Sequence, residues 1–186
     1  MERIIVSLND RLAEVGDVLD VGAHIALPSY TLGDREFLLP DGLRYDVVLT
    51  NAGEGILATG IVRATVAATC DRCLDDTTFD IAAEVDEYYL FNEPSPGVQQ
   101  EDEEEGADYL LVGDDATIDL SDALTSALAM ELPYVVLCKE DCAGLCPVCG
   151  ENLNYVDCGH RDQLAREAEE ERIANSPFAA LRKLDL

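Results

Sequence analysis

Residues 44–73, RYDVVLTNAGEGILATGIVRATVAATCDRC, set two short-period apolar runs on either side of NAGEG and end on a cysteine pair. β-branched residues in runs bounded by a glycine-containing loop are the signature of a hairpin, so Tyr45–Thr50 and Ile56–Thr69 are predicted to be antiparallel strands. In the second arm Ile61, Arg63, Thr65 and Ala67 alternate with Val62, Ala64, Val66 and Ala68. Neither set is strongly apolar, so the pattern predicts a strand without saying which face points inward. Beyond CDRCLDD a third strand is expected over Thr78–Phe91, with Phe79, Ile81, Ala83 and Val85 on one side.

Outward from this centre the signals weaken. Arg3–Leu8 is a short apolar strand candidate, and Asn9–Leu39 is a mixed segment punctuated by Gly16, Gly22, Pro28, Gly33 and, just beyond it, Pro40. Residues 92–108, NEPSPGVQQEDEEEGAD, form an acidic surface loop, because like charges at that density resist compaction. Apolar content resumes at Tyr109–Val112 and Ala116–Leu120. A helix is then expected over Asp122–Glu131, capped by Ser121 or Asp119 and ended by Pro133, with Leu124, Ala127, Leu128 and Met130 on its core side. A helical tail covers 161–186: RDQLAREAEEERIA is a polar helix, and SPFAALRKL begins a final helical stretch whose Phe178, Leu181 and Leu184 can dock. The expected fold class is α+β: a strand-rich antiparallel sheet body with short helices and a carboxyl-terminal cysteine-rich element at 138–160, in one domain over 1–186.

The totals narrow the function. Lys and Arg number 12 against 39 Asp and Glu, a formal charge of -27. Such a surface repels nucleic-acid backbones and membranes at long range and attracts basic proteins. The first residues lack the basic start and apolar run of a signal peptide, and no apolar stretch is long enough to span a membrane, so a cytoplasmic protein with no membrane partner is expected. Seven cysteines in a reducing compartment favour metal or redox roles over a disulfide framework.

CDRC at 70–73 and CPVCG at 146–150 each have the form of a zinc knuckle, in which two thiolates two residues apart occupy two corners of a tetrahedron. Cys138, Cys142, Cys158 and His160 bring the donors to eight. Local order suggests Cys70, Cys73, Cys138 and Cys142 for one zinc and Cys146, Cys149, Cys158 and His160 for a second. A single site of Cys70, Cys73, Cys146 and Cys149 is the competing arrangement, and a thiol–disulfide pair at Cys70 and Cys73 is the alternative chemistry. A four-ligand cage has no open position for water and is structural. Nothing in the chain signals catalysis: GEGILATG lacks the spacing and lysine of a phosphate loop, and no serine sits in a nucleophile elbow. His24 is expected to be an ordinary packed or surface histidine.

ATCDRCLD at 68–75, ELPYVVLC at 131–138, CKEDCAGLCPVCGENLN at 138–154 and SPFAALRKL at 176–184, in this order around the acidic loop, resemble the YceD family of large ribosomal RNA subunit accumulation proteins. The resemblance implies a role in accumulation or processing of 23S ribosomal RNA, and with no catalytic signal in the residues that role is expected to be non-enzymatic. Its expected partners are precursor RNA, an assembly factor, or a large-subunit ribosomal protein such as L32. Members often close the cysteine cluster with Cys-Gly-Cys where this chain has Cys158-Gly159-His160, and zinc accepts imidazole in that place. Arg63, Arg72 and Lys139 are the cations expected to make a local RNA or partner contact; a purely structural or interaction module is the blander reading.

Overall fold

The computed structural model describes residues 3–8, 10–93 and 110–175. Most of the acidic loop and the SPFAALRKL segment lie outside the described residues. The chain divides into two compact units: Met1–Ala68 with Thr78–Tyr134, and Thr69–Thr77 with Val135–Leu186.

The first unit is a sheet body. Its strands are β1 (Ile5–Ser7), β2 (Val18–Ile25), β3 (Ser29–Leu32), β4 (Arg35–Leu38), β5 (Leu43–Asn51), β6 (Gly55–Thr69), β7 (Asp76–Leu90), β8 (Leu110–Leu111) and β9 (Thr117–Asp119). The expected hairpin is β5–β6, registered from Leu43↔Ala64 to Asn51↔Ile56. The length of β6 lets it serve several partners, with β5 and, through Leu38↔Ala67, β4 along it and β7 also paired to it. β1–β9, β2–β5, β3–β4, β4–β6 and β5–β6 pair antiparallel, and β7–β8 is parallel at Tyr89↔Leu110.

The structure settles which face of β6 is inward. Ile56, Ala58, Val62, Ala64 and Val66 are buried, whereas Leu57, Thr59, Ile61, Arg63, Thr65 and Ala67 between and beside them are only partly covered or exposed. Gly60 sits where β5 runs closest, since a Cβ there would meet Asp46 O and Val47 Cα. On β7 the buried set is Ile81, Ala83, Val85 and Tyr89, in the alternation expected, with Phe79 half-buried.

Asn9–Leu39, where no strand was expected, holds β2, β3 and β4. Leu19 is the one buried residue of β2, so the sequence has little apolar alternation to read. The strand exists because β5 pairs with it over its whole length, Val18↔Thr50 to Ile25↔Leu43.

Helix α1 (Ser121–Glu131) buries Ala123, Leu124, Ala127 and Leu128. Met130 does not join them: it is 88% exposed, because two residues past Leu128 the helix has turned that position outward. Ser121 lies inside the helix, and Leu120 occupies the cap position with no side-chain bond. Asp119 performs the capping from one residue further out. Its Oδ1 accepts from Ser121 N at 3.0 Å, Ser121 Oγ at 2.6 Å and Ile4 N at 3.3 Å, and its Oδ2 accepts from Arg3 Nε at 2.8 Å. Burial alone would push this carboxyl up, but the bonds from Ser121, Arg3 and Ile4 prevail and hold it down at about 2.

The second unit has little apolar core. Among its described residues the buried apolar and sulfur side chains are Cys70, Cys73, Val136, Cys142 and Cys146. Leu137 and Cys138 pack partly against the first three of those cysteines. Helix α2 (Arg161–Ala174) follows directly on His160 and has no buried described residue.

Candidate metal centres

Both cysteine pairs fold into the same turn. In CDRCLD, Leu74 N donates to Cys70 O at 3.0 Å and Cys70 N donates to Asp75 O at 2.8 Å. In CPVCGE, Gly150 N donates to Cys146 O at 2.8 Å and Cys146 N donates to Glu151 O at 2.8 Å. The residue after the second cysteine is left-handed in each, with φ of 62° at Leu74 and 77° at Gly150. This turn carries both thiols on its concave side, with backbone N–H groups aimed at the first. Glycine takes the left-handed position without strain, which the sequence advertises in the second knuckle and hides in the first.

The donors gather in the two groups expected. Cys70, Cys73, Cys138 and Cys142 form one cage and Cys146, Cys149, Cys158 and His160 the other, the ligand atoms within each lying within 4.8 Å of one another. Cys70 Sγ is 3.8 Å from Cys142 Sγ, and Cys73 Sγ is 3.6 Å from Cys138 Sγ. A tetrahedron with metal–sulfur distances of about 2.3 Å has edges of about 3.8 Å, which these two separations match. In the second cage Cys146 Sγ is 3.8 Å from His160 Nδ1. All seven cysteines are free thiols, and each cage could hold a metal ion. The competing group of Cys70, Cys73, Cys146 and Cys149 is not formed.

The electrostatics of the two cages run in parallel. Burial pushes the Cys70 thiol up, but the backbone N–H groups of Cys73, Arg72 and Cys138 prevail and lower it to about 6. At Cys146 the N–H of Cys149 is the leading influence and, with that of Val148, overcomes burial to bring the thiol to about 6. The second cysteine of each knuckle goes the other way. The Asp75 N–H favours the Cys73 thiolate, but burial and the thiols of Cys70, Cys138 and Cys142 outweigh it and push Cys73 up to about 12. Cys149 is raised likewise by burial and by Cys146 and Cys158 against the N–H of Glu151. Burial raises Cys138, whereas the Asn154 side chain leads in lowering Cys142. Like charges at these distances cannot all ionise unaided, and a divalent cation at the centre reverses that balance.

Outer-shell groups, which carry no sequence signature, complete the first cage. Arg72 Nη1 donates to Cys142 O at 3.1 Å, Leu145 N donates to Arg72 O at 2.9 Å, and Val136 N donates to Asp71 Oδ2 at 2.8 Å. Gly144, with φ of 75°, lets the chain pass Arg72, whose carbonyl a Cβ there would approach to 3.1 Å. Asn154 Nδ2 donates to Cys142 Sγ at 3.3 Å.

Of the three candidate contact cations, Arg72 and Lys139 belong to the second unit and Arg63 to the first. Arg72 is tied into the first cage, and Lys139 pairs loosely with Asp141 at 3.7 Å. Arg63 belongs to the first unit, on the exposed face of β6, 3.5 Å from Asp46. Cross-strand pairing sets His24 opposite Arg44 and Arg44 opposite Arg63, a cation-rich row that the sequence does not show because its members lie far apart along the chain. The row lines an open groove of about 490 Å³ that Asp41 and Asp80 also border. His24 is an exposed edge histidine whose Nε2 contacts Asp41 O. No described helix is long and apolar enough to cross a membrane.

Similarity to other proteins follows the same residues. No solved structure matches the chain. An uncharacterized protein of Mycobacterium tuberculosis is 33% identical over 150 residues, which is 81% of this chain and 67% of the relative. An uncharacterized protein of Mycobacterium bovis matches over the same spans, and one of Mycobacterium leprae is 30% identical over 118 residues, 63% of this chain and 52% of its own. The family profile described as large ribosomal RNA subunit accumulation protein YceD matches residues 58–185, from within β6 through both cages. The chain therefore belongs to the YceD family.

Proposed function

We propose that this protein is a non-enzymatic biogenesis factor of the large ribosomal subunit, supporting accumulation of 23S ribosomal RNA through contact with a basic ribosomal protein or assembly factor. Family membership carries the reading, and the family's description ties it to large-subunit RNA. The two cages support a structural role for metal. Each offers four protein donors, a closed set suited to zinc, in which the ion supplies cohesion and leaves no position for substrate. Burial of Cys70 and Cys73 against Cys138 and Cys142 favours this over thiol–disulfide exchange, which needs an accessible thiol. The charge of -27 favours a basic protein over bare RNA as first partner.

The test is crosslinking and pull-down with zinc-loaded protein at physiological salt. Recovery of a large-subunit protein, L32 among the first to examine, supports the reading, and recovery of none refutes it. A second reading, direct contact with precursor RNA, rests on Arg44 facing Arg63 across β5 and β6, because like charges facing each other across strands cost stability. It requires binding to precursor RNA above unrelated RNA, and loss of that binding in Arg44→Glu with Arg63→Glu. Arg72→Glu with Lys139→Glu asks the same of the second unit.

A further inference from the structure

The loop that closes the second cage also furnishes the outer shell of the first. Asn152, Asn154 and Tyr155 lie between Cys149 and Cys158, inside the second cage's own loop. Asn154 Nδ2 donates to Cys142 Sγ at 3.3 Å and to Asn152 Oδ1 at 2.9 Å, while Asn154 Oδ1 accepts from Ala143 N at 2.9 Å. Asn152 Nδ2 donates to Asp75 Oδ2 at 2.9 Å, and the Tyr155 hydroxyl donates to the same oxygen at 3.2 Å. That oxygen lies 3.5 Å from Cys73 Sγ. Backbone bonds hold the loop in register: Leu153 N to Gly144 O at 2.9 Å, and the Leu145↔Asn152 bridge. The second cage's loop therefore touches Cys142 directly, through Asn154, and reaches Cys73 through the Asp75 carboxylate that Asn152 and Tyr155 hold.

We propose that the two cages take up metal cooperatively, with the second ordering the loop that presents Asn154 to Cys142 and Asn152 and Tyr155 to Asp75. The inference rests on reading both cages as metal sites. A four-thiolate cage around a divalent ion retains about two negative charges, and an amide N–H directed at a sulfur offsets part of that excess. Asn154 is thus a positioning residue for the first cage, and loss of an outer-shell partner of this kind lowers metal affinity roughly 10- to 100-fold. Coupling in binding is reciprocal, so occupancy of the first cage must favour the second by the same factor.

The experiment titrates Zn²⁺ into the full chain against a chromophoric chelator, with Co²⁺ spectra to report each cage. Disabling the second cage with Cys149→Ser is expected to weaken the first about 10-fold or more, and Cys138→Ser is expected to weaken the second by the same factor. Asn154→Asp retains the acceptor for Ala143 N but sets a carboxylate oxygen where the donor to sulfur stood. In that background the first cage is weak from the start, its Co²⁺–thiolate absorption is shifted, and Cys149→Ser lowers it little further. Asn154→Gln, which keeps the amide, should restore part of the coupling. Equal first-cage affinity with and without the second cage overturns the inference while leaving the metal reading intact. A full Cys149→Ser penalty in the Asn154→Asp background overturns the assigned route. Fewer than two equivalents bound by the unaltered protein overturns the metal reading and this inference together.

Discussion

Stripping metal from the protein should unfold its second unit and spare its first. In the second unit Val136 is the sole buried aliphatic side chain among the described residues; the other buried apolar positions are Cys70, Cys73, Cys142 and Cys146. Burying a valine contributes roughly 1.5–3 kcal/mol, and ordering each backbone residue costs about 1–2 kcal/mol. A segment as long as 135–160 cannot be held by that one side chain. A structural zinc site supplies on the order of 10–16 kcal/mol, so two such ions, one in each cage, would carry the unit. The first unit, by contrast, buries Phe37, Leu39, Leu43, Leu49, Ile56, Val62, Val66, Leu120, Leu124 and Leu128 with no recourse to sulfur. Amide hydrogen exchange before and after exhaustive chelation under reducing conditions reads both units at once. Protection at Cys70, Asp71, Cys142, Leu145, Cys146 and Leu153 should collapse, while protection along β5 and β6 persists. Retained protection at those six amides, with metal shown absent by elemental analysis, would refute the argument.

Four further outcomes are expected. Replacing both Cys146 and Cys149 with serine should remove one metal equivalent and leave one, measured by elemental analysis at protein concentrations well above the dissociation constant; loss of both, or of neither, contradicts two separate cages. Asp119→Ala removes the acceptor for Ser121 N, for the Ser121 hydroxyl and for Arg3, and should cost about 1 kcal/mol by denaturant unfolding, the worth of a lost cap, since Ser121 Oγ keeps its bond from Ile4 N. Because the folded carboxyl is held down at about 2, its contribution is full above about pH 4 and fades as pH falls toward 2, so the gap between native and Asp119→Ala proteins should close over that window. Gly60→Ala forces a Cβ against the Asp46 carbonyl and to 2.6 Å from Val47 Cα, and should destabilise the β5–β6 pair by about 2–3 kcal/mol in the same assay.

What the sequence disclosed depended on how much each feature relies on neighbours along the chain. The hairpin of β5 and β6 was readable because long strands carry their own period, and the eight donors were readable because two residues between cysteines is a local spacing. Strand β2 was not, since its pairing with β5 rather than its own apolar content holds it in place. Asn152 and Asn154 looked like any turn-forming residues; their bearing on Asp75 and Cys142 arises only once distant segments meet. The inward face of β6 and the outward turn of Met130 likewise waited on the packing around them.

The two knuckles share one turn but differ in when the cell can finish them. As the chain leaves the ribosome, Cys146, Cys149, Cys158 and His160 emerge almost together, so that cage can close within moments of its first thiol appearing. Cys70 and Cys73 emerge with their partners Cys138 and Cys142 still unmade, and synthesis at about 5–20 residues per second leaves them waiting for several seconds. During that interval the two thiols lack half of their donor set and stand open to oxidants and to softer metals such as copper. Arrival of the cysteine-rich segment ends the exposure, and the loop that follows it brings Asn154 to Cys142 only as the last cage is completed.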